Sequence, residues 1–240
     1  RSTRKESSAA SDVYKRQFQG DLDSFSASEL GGKAIQGAME KAGITRVDEV
    51  IMGNVLGAGQ GQAPARQASF AAGLDETVPA TTLNKMCGSG MKAAMIGFDQ
   101  IKLGENKILA VGGMESMSNS PHLLMNYRGG SRLGHSKVVD SLIHDGLWDA
   151  YTEQHMGSCA ELLVSERNYS RQDQDNFAIQ SYSKAWNANE KNILENEIVP
   201  INLNLENELE TKRISENERR EKIVEFVDLF MRFRRSIWSR

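Results

Sequence analysis

The stretch Asn84-Lys-Met-Cys-Gly-Ser-Gly-Met-Lys-Ala93 places a single cysteine between two different kinds of sequence. The Thr-rich run 79–83 before it is typical of a strand. The run 88–103 after it repeats apolar residues at the spacing of a helix. The glycines that follow the cysteine permit a tight turn and a close approach of the backbone. The stretch therefore predicts a strand-to-helix corner with Cys87 at its tip.

A cysteine at such a corner has a chemical consequence. The free N–H groups at the start of a helix attract negative charge, so they favour a thiolate and raise the nucleophilicity of the sulfur. The same kind of donor stabilises a developing oxyanion, and the geometry is analogous to the nucleophile elbow of hydrolases, with Cys in place of Ser. The alternative is that Cys87 only fills space at the end of a strand.

The regions around this corner alternate between strand-like and helical patterns. The fully apolar strands predict an α/β fold, in which a mixed or parallel sheet lies between helices on both sides. A helix is expected after a cap at Ser26 or Ser28 and is stopped by Gly43. The other expected elements are a strand within 47–56, a helix from Pro64 to Ala72, a strand at 107–111, and, after a long polar stretch, helices at 155–168 and 173–190.

Composition excludes several classes of function. Hydrophobic residues make up 39% of the chain and charged residues 25%, with a net charge of −3, so no basic surface suggests a nucleic acid or an anionic membrane as partner. No apolar stretch approaches the length of a membrane span. The two cysteines give no disulfide framework, which is the usage of a reducing compartment.

Four other features invite functional interpretations, and none of them is interpreted as a functional site. Gly57-Ala-Gly-Gln-Gly-Gln62 lacks the third glycine of a dinucleotide-binding loop. The four histidines and Cys159 form no compact set with metal-ligand spacing, so no metal site is expected. Cys159 lies within a helical pattern and is interpreted as structural. Glu115, which follows a strand, is also interpreted as structural, holding a backbone N–H.

Several motifs together resemble the thiolase family, specifically the acetyl-CoA C-acetyltransferases. Leu83-Asn-Lys-Met-Cys-Gly-Ser-Gly-Met-Lys-Ala93 is similar to the family's nucleophile segment, and it is followed by Gly112-Gly-Met-Glu-Ser-Met-Ser118. The resemblance continues through five further motifs in the family's order and spans about Phe18 to Leu205. These motifs are Gly53-Asn-Val-Leu-Gly-Ala-Gly-Gln-Gly-Gln-Ala-Pro-Ala-Arg-Gln-Ala68, Arg128-Gly-Gly130, Asp145-Gly-Leu-Trp-Asp-Ala-Tyr151, His155-Met-Gly157 and Glu197-Ile-Val-Pro200.

The resemblance implies a function and a set of site residues. Cys87 matches the nucleophile that takes the acyl group as a thioester, and Leu147, His155 and Met156 match residues lining the tunnel for the acyl chain and the pantetheine arm. The implied reaction is the ping-pong condensation of two acetyl-CoA to acetoacetyl-CoA, and its reverse thiolysis with CoA. CoA thioesters are then substrates, and no cofactor is expected. A ketoacyl-synthase-like condensing enzyme and a non-catalytic fragment are the alternatives.

The resemblance also implies a domain organisation. Residues 18–118 are expected to form the thiolase N-terminal α/β domain, and residues 119–207 an incomplete loop insertion for substrate binding and oligomerisation. Residues 1–17 and 208–240 do not match the family and are expected to be disordered or non-native. The family's catalytic histidine and second cysteine are not found, so the chain alone is expected to be inactive. The whole protein is expected to be a homodimer or homotetramer in the cytoplasm, with the mitochondrion as the alternative.

Overall fold

The computed structural model describes residues 18–20, 22–130 and 133–201. The two segments interpreted as atypical, 1–17 and 208–240, therefore lie outside the described residues. Within the described part of the chain, none of the helices is both long and apolar enough to cross a membrane. The domain boundary at residues 118 and 119 stays a prediction.

Helices and strands alternate through the first hundred described residues, as the sequence predicts. The elements in order are α1 (Ala27–Ala42), β1 (Glu49–Gly53), α2 (Pro64–Ala71), β2 (Ala80–Leu83), α3 (Ser89–Leu103) and β3 (Leu109–Gly113). Helix α1 is delimited by local chemistry. The Ser26 side chain and Glu29 form a reciprocal capping box at its start, and Gly43 ends it in the left-handed conformation at φ 66°.

The three strands form one parallel sheet in the order β2-β1-β3. Because side chains alternate across a strand, β1 buries side chains on both faces of the sheet. Val50 and Met52 join a buried cluster with residues of α1 and α2. Ile51, which is only 1% exposed, points to the opposite face, and Gly53 on that face lies directly against the start of α3. This arrangement confirms the predicted α/β fold with helices on both sides of a sheet.

Helix α3 packs on the sheet through its small residues. Ser89 and Ala93 are buried, and a Cβ added at Gly97 would lie 2.7 Å from Val111 Cγ1. The apolar stripe of the same helix faces away: Met91 is 74% exposed and Phe98 is 65% exposed. The periodicity of the sequence thus predicts the helix, while the face that contacts the sheet is the one with the smallest side chains.

After β3 the chain forms small antiparallel pairs and two long helices. Strands β4 (His122–Leu124) and β5 (Val138–Asp140) pair with each other, as do β6 (Trp148–Asp149) and β7 (Gln154–His155). Helices α4 (Met156–Arg167) and α5 (Arg171–Glu190) follow, close to the predicted bounds, and neither contains a buried residue. The chain then returns to α1, where Lys41 Nζ donates to the carbonyls of Asn196 and Ile198 at 2.9 and 2.8 Å.

Candidate functional site

Cys87 lies where the sequence places it, in the turn between β2 and α3. Strand β2 ends at Leu83, Gly88 is the N-cap of α3, and the first helical residue is Ser89. The thiol is exposed to solvent. The corner therefore presents the sulfur at the carboxyl edge of the parallel sheet, beside the N-terminal end of a helix of 15 residues.

Two side chains hold the turn around the cysteine. Ser89 Oγ accepts a hydrogen bond from the Lys85 N–H at 2.8 Å and donates one to the Met86 carbonyl at 2.6 Å. Asn84 Oδ1 accepts from the Met86 N–H at 2.9 Å, which is a local turn that asparagine favours. Met86 itself has φ 49°, a left-handed conformation that costs a residue with a Cβ about 1–2 kcal/mol. The strained residue thus immediately precedes Cys87, and bonds on both sides of it keep it in place.

Glycines allow the helix to start directly on the strand ends. A Cβ added at Gly53 would lie 2.5 Å from Ser89 Cβ and 2.6 Å from the Ser89 carbonyl carbon. A Cβ added at Gly113 would lie 3.3 Å from Gly90 Cα. The ends of β1 and β3 therefore support the first turn of α3 through backbone contact, with no side chains in between. This close packing fixes the position of the turn that contains Cys87.

Two backbone N–H groups at the start of α3 form hydrogen bonds within the turn, although donors at this position were expected to bind an oxyanion. The Gly88 N–H donates to the Lys85 carbonyl at 3.2 Å, and the Ser89 N–H donates to the Met86 carbonyl at 3.0 Å. Both bonds build the turn itself. These two N–H groups therefore have partners within the turn.

A carboxylate next to the corner gathers donors from the loop after β1. Glu115 Oε2 accepts from the Val55 N–H at 2.9 Å, and Oε1 accepts from the Leu56 N–H at 3.2 Å and from Asn54 Nδ2 at 2.7 Å. Burial raises the pKa of the Glu115 carboxyl above its ordinary value, while these three N–H donors act in the opposite direction. The geometry matches the ionised form, because every partner is a donor. Glu115 thus holds backbone N–H groups, as the sequence analysis expected.

The three residues expected to line a substrate tunnel lie close together around one hairpin. His155 pairs with Trp148 across β6 and β7, so Leu147 and Met156, which flank these residues, come to the same end of the hairpin. His155 Nδ1 accepts from the Gly157 N–H at 3.0 Å, which leaves Nε2 to carry the proton in the neutral ring. A Cβ added at the neighbouring Gly146 would lie 3.2 Å from Leu56 Cδ2. This contact brings the segment against the loop that Glu115 holds.

No catalytic base is joined to the cysteine within the described residues. All four histidines of the chain, His122, His135, His144 and His155, lie in the described ranges. Neither they nor Leu147 or Met156 form a hydrogen bond with Cys87. Cys159 is half-buried in α4, and its structural role stays a prediction. The described part of the chain also contains no group of three side chains arranged to hold a metal ion.

Sequence reasoning found the nucleophile candidate but missed the residues that hold it. Ser89 and Asn84 are part of the recognised motif, yet only the structure shows that both form hydrogen bonds with the turn backbone. An asparagine two residues before a turn N–H was the available signal for Asn84. Asn54 carried no signal, because its role depends on a contact across 61 positions of sequence.

Comparison with known proteins gives one family. The family model described as "Thiolase, N-terminal domain" matches residues 9–230, which extends into both segments that the sequence analysis set apart. An acetyl-CoA acetyltransferase of Arabidopsis thaliana is 48% identical over 186 residues, covering 77% of this chain and 46% of that protein. A cytosolic acetyl-CoA acetyltransferase of Gibberella zeae is 49% identical over 188 residues, covering 78% and 47%. For an acetyl-CoA acetyltransferase of Cupriavidus necator the identity is 48% over 187 residues, covering 77% and 48%. The chain thus spans about half the length of the curated relatives it matches.

Proposed function

The chain belongs to the thiolase family, and on that premise we propose that Cys87 is the nucleophile of an acetyl transfer between coenzyme A thioesters. The observation that supports this most strongly is the geometry of the corner between β2 and α3. An exposed thiol sits at the N-terminal end of α3, in a turn fixed by Ser89 and Asn84. The names of the relatives favour acetyl-CoA as the acetyl donor, and the resemblance of the motifs favours acetoacetyl-CoA as the product. They therefore favour acetyl transfer over a ketoacyl-synthase-like reaction.

The proposed reaction has two halves. The Cys87 sulfur attacks the carbonyl carbon of one acetyl-CoA, the carbon–sulfur bond to CoA breaks, and CoA leaves as the thiol after gaining a proton. A second acetyl-CoA then loses a proton from its α carbon, and the carbanion attacks the Cys87 thioester. Acetoacetyl-CoA leaves and the sulfur is freed, so two acetyl-CoA give one acetoacetyl-CoA and one CoA. Two easier steps through a covalent thioester replace one difficult condensation.

The corner supports the first half of this reaction. The positive end of the α3 dipole favours negative charge at Cys87 and on the carbonyl oxygen that it attacks. Glycine packing under the turn and the hydrogen bonds of Asn84 and Ser89 to the Met86 backbone hold the sulfur in one place before substrate arrives. A nucleophile that is already oriented reacts faster, because less entropy is lost when the transition state forms.

Leu147, His155 and Met156 are proposed to contact the acyl chain and the pantetheine arm. The support is their common position at one end of the β6–β7 hairpin, next to a segment that touches Leu56 at the edge of the sheet. Their side chains offer two apolar surfaces and one imidazole. This combination suits a thioester arm with an amide-bearing, largely aliphatic chain.

Further proposals concern the whole protein. It is proposed to act as a homodimer or homotetramer in the cytoplasm, with the cytosolic relative from Gibberella zeae as support for the compartment. Coenzyme A thioesters are proposed as substrates, without a further cofactor.

Acetylation of Cys87 tests the assignment. The 240-residue chain is incubated with acetyl-CoA, digested, and analysed by mass spectrometry for an acetyl group on each cysteine-containing peptide. We expect the adduct on Cys87 in the native chain and its loss in Cys87→Ala. An adduct confined to Cys159, or none at all on the folded chain, would contradict the proposal.

Turnover by the chain alone tests a second consequence. Because no histidine among the described residues forms a hydrogen bond with Cys87, we expect the 240-residue chain to cleave acetoacetyl-CoA with CoA no faster than Cys87→Ala does. The decrease of acetoacetyl-CoA absorbance gives the rate. Turnover clearly above this control would mean that a base within this chain serves the cysteine.

A further inference from the structure

Two half-buried carboxylates lie at opposite ends of the central strand β1. Glu49, at its start, accepts from Thr81 Oγ1 at 3.2 Å and from Gln100 Nε2 and Asn106 Nδ2, both at 3.1 Å. Glu115, beyond its end, accepts from two backbone N–H groups and from Asn54 Nδ2. Each carboxylate thus holds three donors, but only Glu115 lies at the edge of the sheet that bears Cys87.

A short path of bonds leads from Glu115 to the residue before the cysteine. The carboxylate fixes the Val55 N–H at 2.9 Å, and the Val55 carbonyl accepts from Asn84 Nδ2 at 3.4 Å. Asn84 Oδ1 in turn accepts from the Met86 N–H at 2.9 Å. The bond of 3.4 Å is the longest link, and therefore the weakest.

A second connection joins the same two segments next to the first. The Asn54 N–H donates to the Leu83 carbonyl at 3.0 Å, continuing the pairing of β1 and β2 by one residue. Asn54 is only 4% exposed, and its side-chain Nδ2 also donates to the Met114 carbonyl at 3.2 Å. The loop that Glu115 holds is thus linked to both residues that lead into the turn, Leu83 and Asn84.

We infer that Glu115 is a positioning residue for Cys87, acting through residues 54–56 and the Asn84 side chain to fix the turn at Met86. The inference rests on the proposed role of Cys87 as nucleophile. It goes beyond that role because it gives a function to a carboxylate that touches neither the sulfur nor any expected substrate contact. Loss of the Glu115 bonds releases the loop, and the Asn84 turn then loses its outer support.

The test measures the alkylation rate of Cys87 in the native 240-residue chain with iodoacetamide, peptide by peptide. Glu115→Gln removes one acceptor oxygen and turns an amide NH2 towards N–H donors, while Glu49→Gln makes the same chemical change at the far end of β1. We expect Glu115→Gln to lower the alkylation rate of Cys87 roughly two- to fivefold. This factor corresponds to the loss of the favourable interaction between the Cys87 thiolate and the N-terminal end of α3. Glu49→Gln is expected to leave this rate unchanged. Cys159 serves as the internal reference in every variant.

Asn84→Ser tests the same path without touching the core, since Asn84 is exposed. A serine hydroxyl still accepts from the Met86 N–H but is too short to reach the Val55 carbonyl. We expect this variant to slow Cys87 to the same degree as Glu115→Gln, and the double variant to be no slower than either single variant. Hydrogen exchange at the Met86 N–H is expected to rise in both single variants and not in Glu49→Gln.

Each outcome bears on one assignment. Equal Cys87 rates in Glu115→Gln and Glu49→Gln, or an Asn84→Ser variant that reacts like the wild type, would overturn the positioning role. If Glu115→Gln does not fold, the Asn84→Ser result alone decides. Multiplicative effects in the double variant would also overturn it. Failure of wild-type Cys87 to take an acetyl group would instead contradict the proposed function, so the two failures are distinguishable.

Discussion

The sheet region, residues 27–114, and the helical region, residues 156–190, use the same local signals but differ in what they bury. In the sheet region, strands and helices cover each other, and Val50, Ile51 and Ala93 are almost fully enclosed. In the helical region, caps are well formed, yet neither α4 nor α5 has a buried residue. Apolar side chains such as Leu163 and Phe177 remain 49% and 76% exposed. Local capping thus specifies a helix, whereas burial provides most of the tertiary stability.

Core truncation gives the largest contrast between the two regions. Ile51→Ala is expected to lower the free energy of unfolding by about 3 kcal/mol, because it removes a side chain enclosed between the sheet and α3. Leu163→Ala in α4 is expected to change it by less than about 0.5 kcal/mol. Urea unfolding followed by circular dichroism measures both. A similar loss for the two variants would show that α4 is buried against a partner in solution.

Close packing under the corner gives the next effect. Gly53→Ala is expected to lower stability by about 2 kcal/mol, since its Cβ would meet the backbone of Ser89, which cannot move aside without shifting α3. Gly129→Ala is the matched control, because no atom lies within 4 Å of its added Cβ. Thermal unfolding of both variants checks the contrast. If Gly53→Ala is as stable as Gly129→Ala, the corner is not tightly packed.

Capping serines occur in both regions and separate local from global stability. Ser26→Ala and Ser170→Ala each remove a capping box and are expected to cost their helix about 1 kcal/mol. For α1 this cost should appear in global unfolding, because α1 is part of the core. For α5 it should appear only as faster amide exchange in that helix. Equal effects on global unfolding would mean that α5 folds cooperatively with the sheet.

Acidification gives the smallest effect and has the same sign in both regions. Hydrogen bonds from Ser26 hold the pKa of Glu29 below its ordinary value of 4.5, and those from Ser170 hold the pKa of Asp173 below 3.8. A lowered pKa in the folded state contributes stability above the unfolded value, which is lost as the pH falls through the folded value. We therefore expect the first turn of α5 to fray below about pH 3.8. Asp173→Asn should remove this dependence, and amide exchange against pH measures it.

The features that sequence alone predicts are local ones. The start of α1 at Ser26 or Ser28, the stop at Gly43 and the position of Cys87 before α3 follow from residue types at fixed spacing, and the structure confirms them with the cap at Ser26. The packing face of α3 was not predictable in this way. Periodicity marks Met91 and Phe98, but the helix approaches the sheet through Ala93 and Gly97, because only small side chains permit that distance.

The supports of the candidate site are long-range and therefore invisible to local patterns. Glu115 and Asn54 meet across 61 positions, and Gly53 meets Ser89 across the sheet edge. Such contacts depend on strand order, which no turn or cap signal determines. The resemblance of the motifs identified Cys87 as the nucleophile candidate. The contacts that hold its turn in place became visible only in the structure.

We propose that the fold of the sheet region makes the Cys87 sulfur reactive, and the rates at which the thiols are alkylated in the native and the unfolded chain decide this. Iodoacetamide rate constants for Cys87 and Cys159 are measured side by side in buffer and in denaturant. We expect folding to accelerate the reaction of Cys87 and to slow that of half-buried Cys159. A Cys87 that reacts no faster in the native chain than in the unfolded one would contradict it.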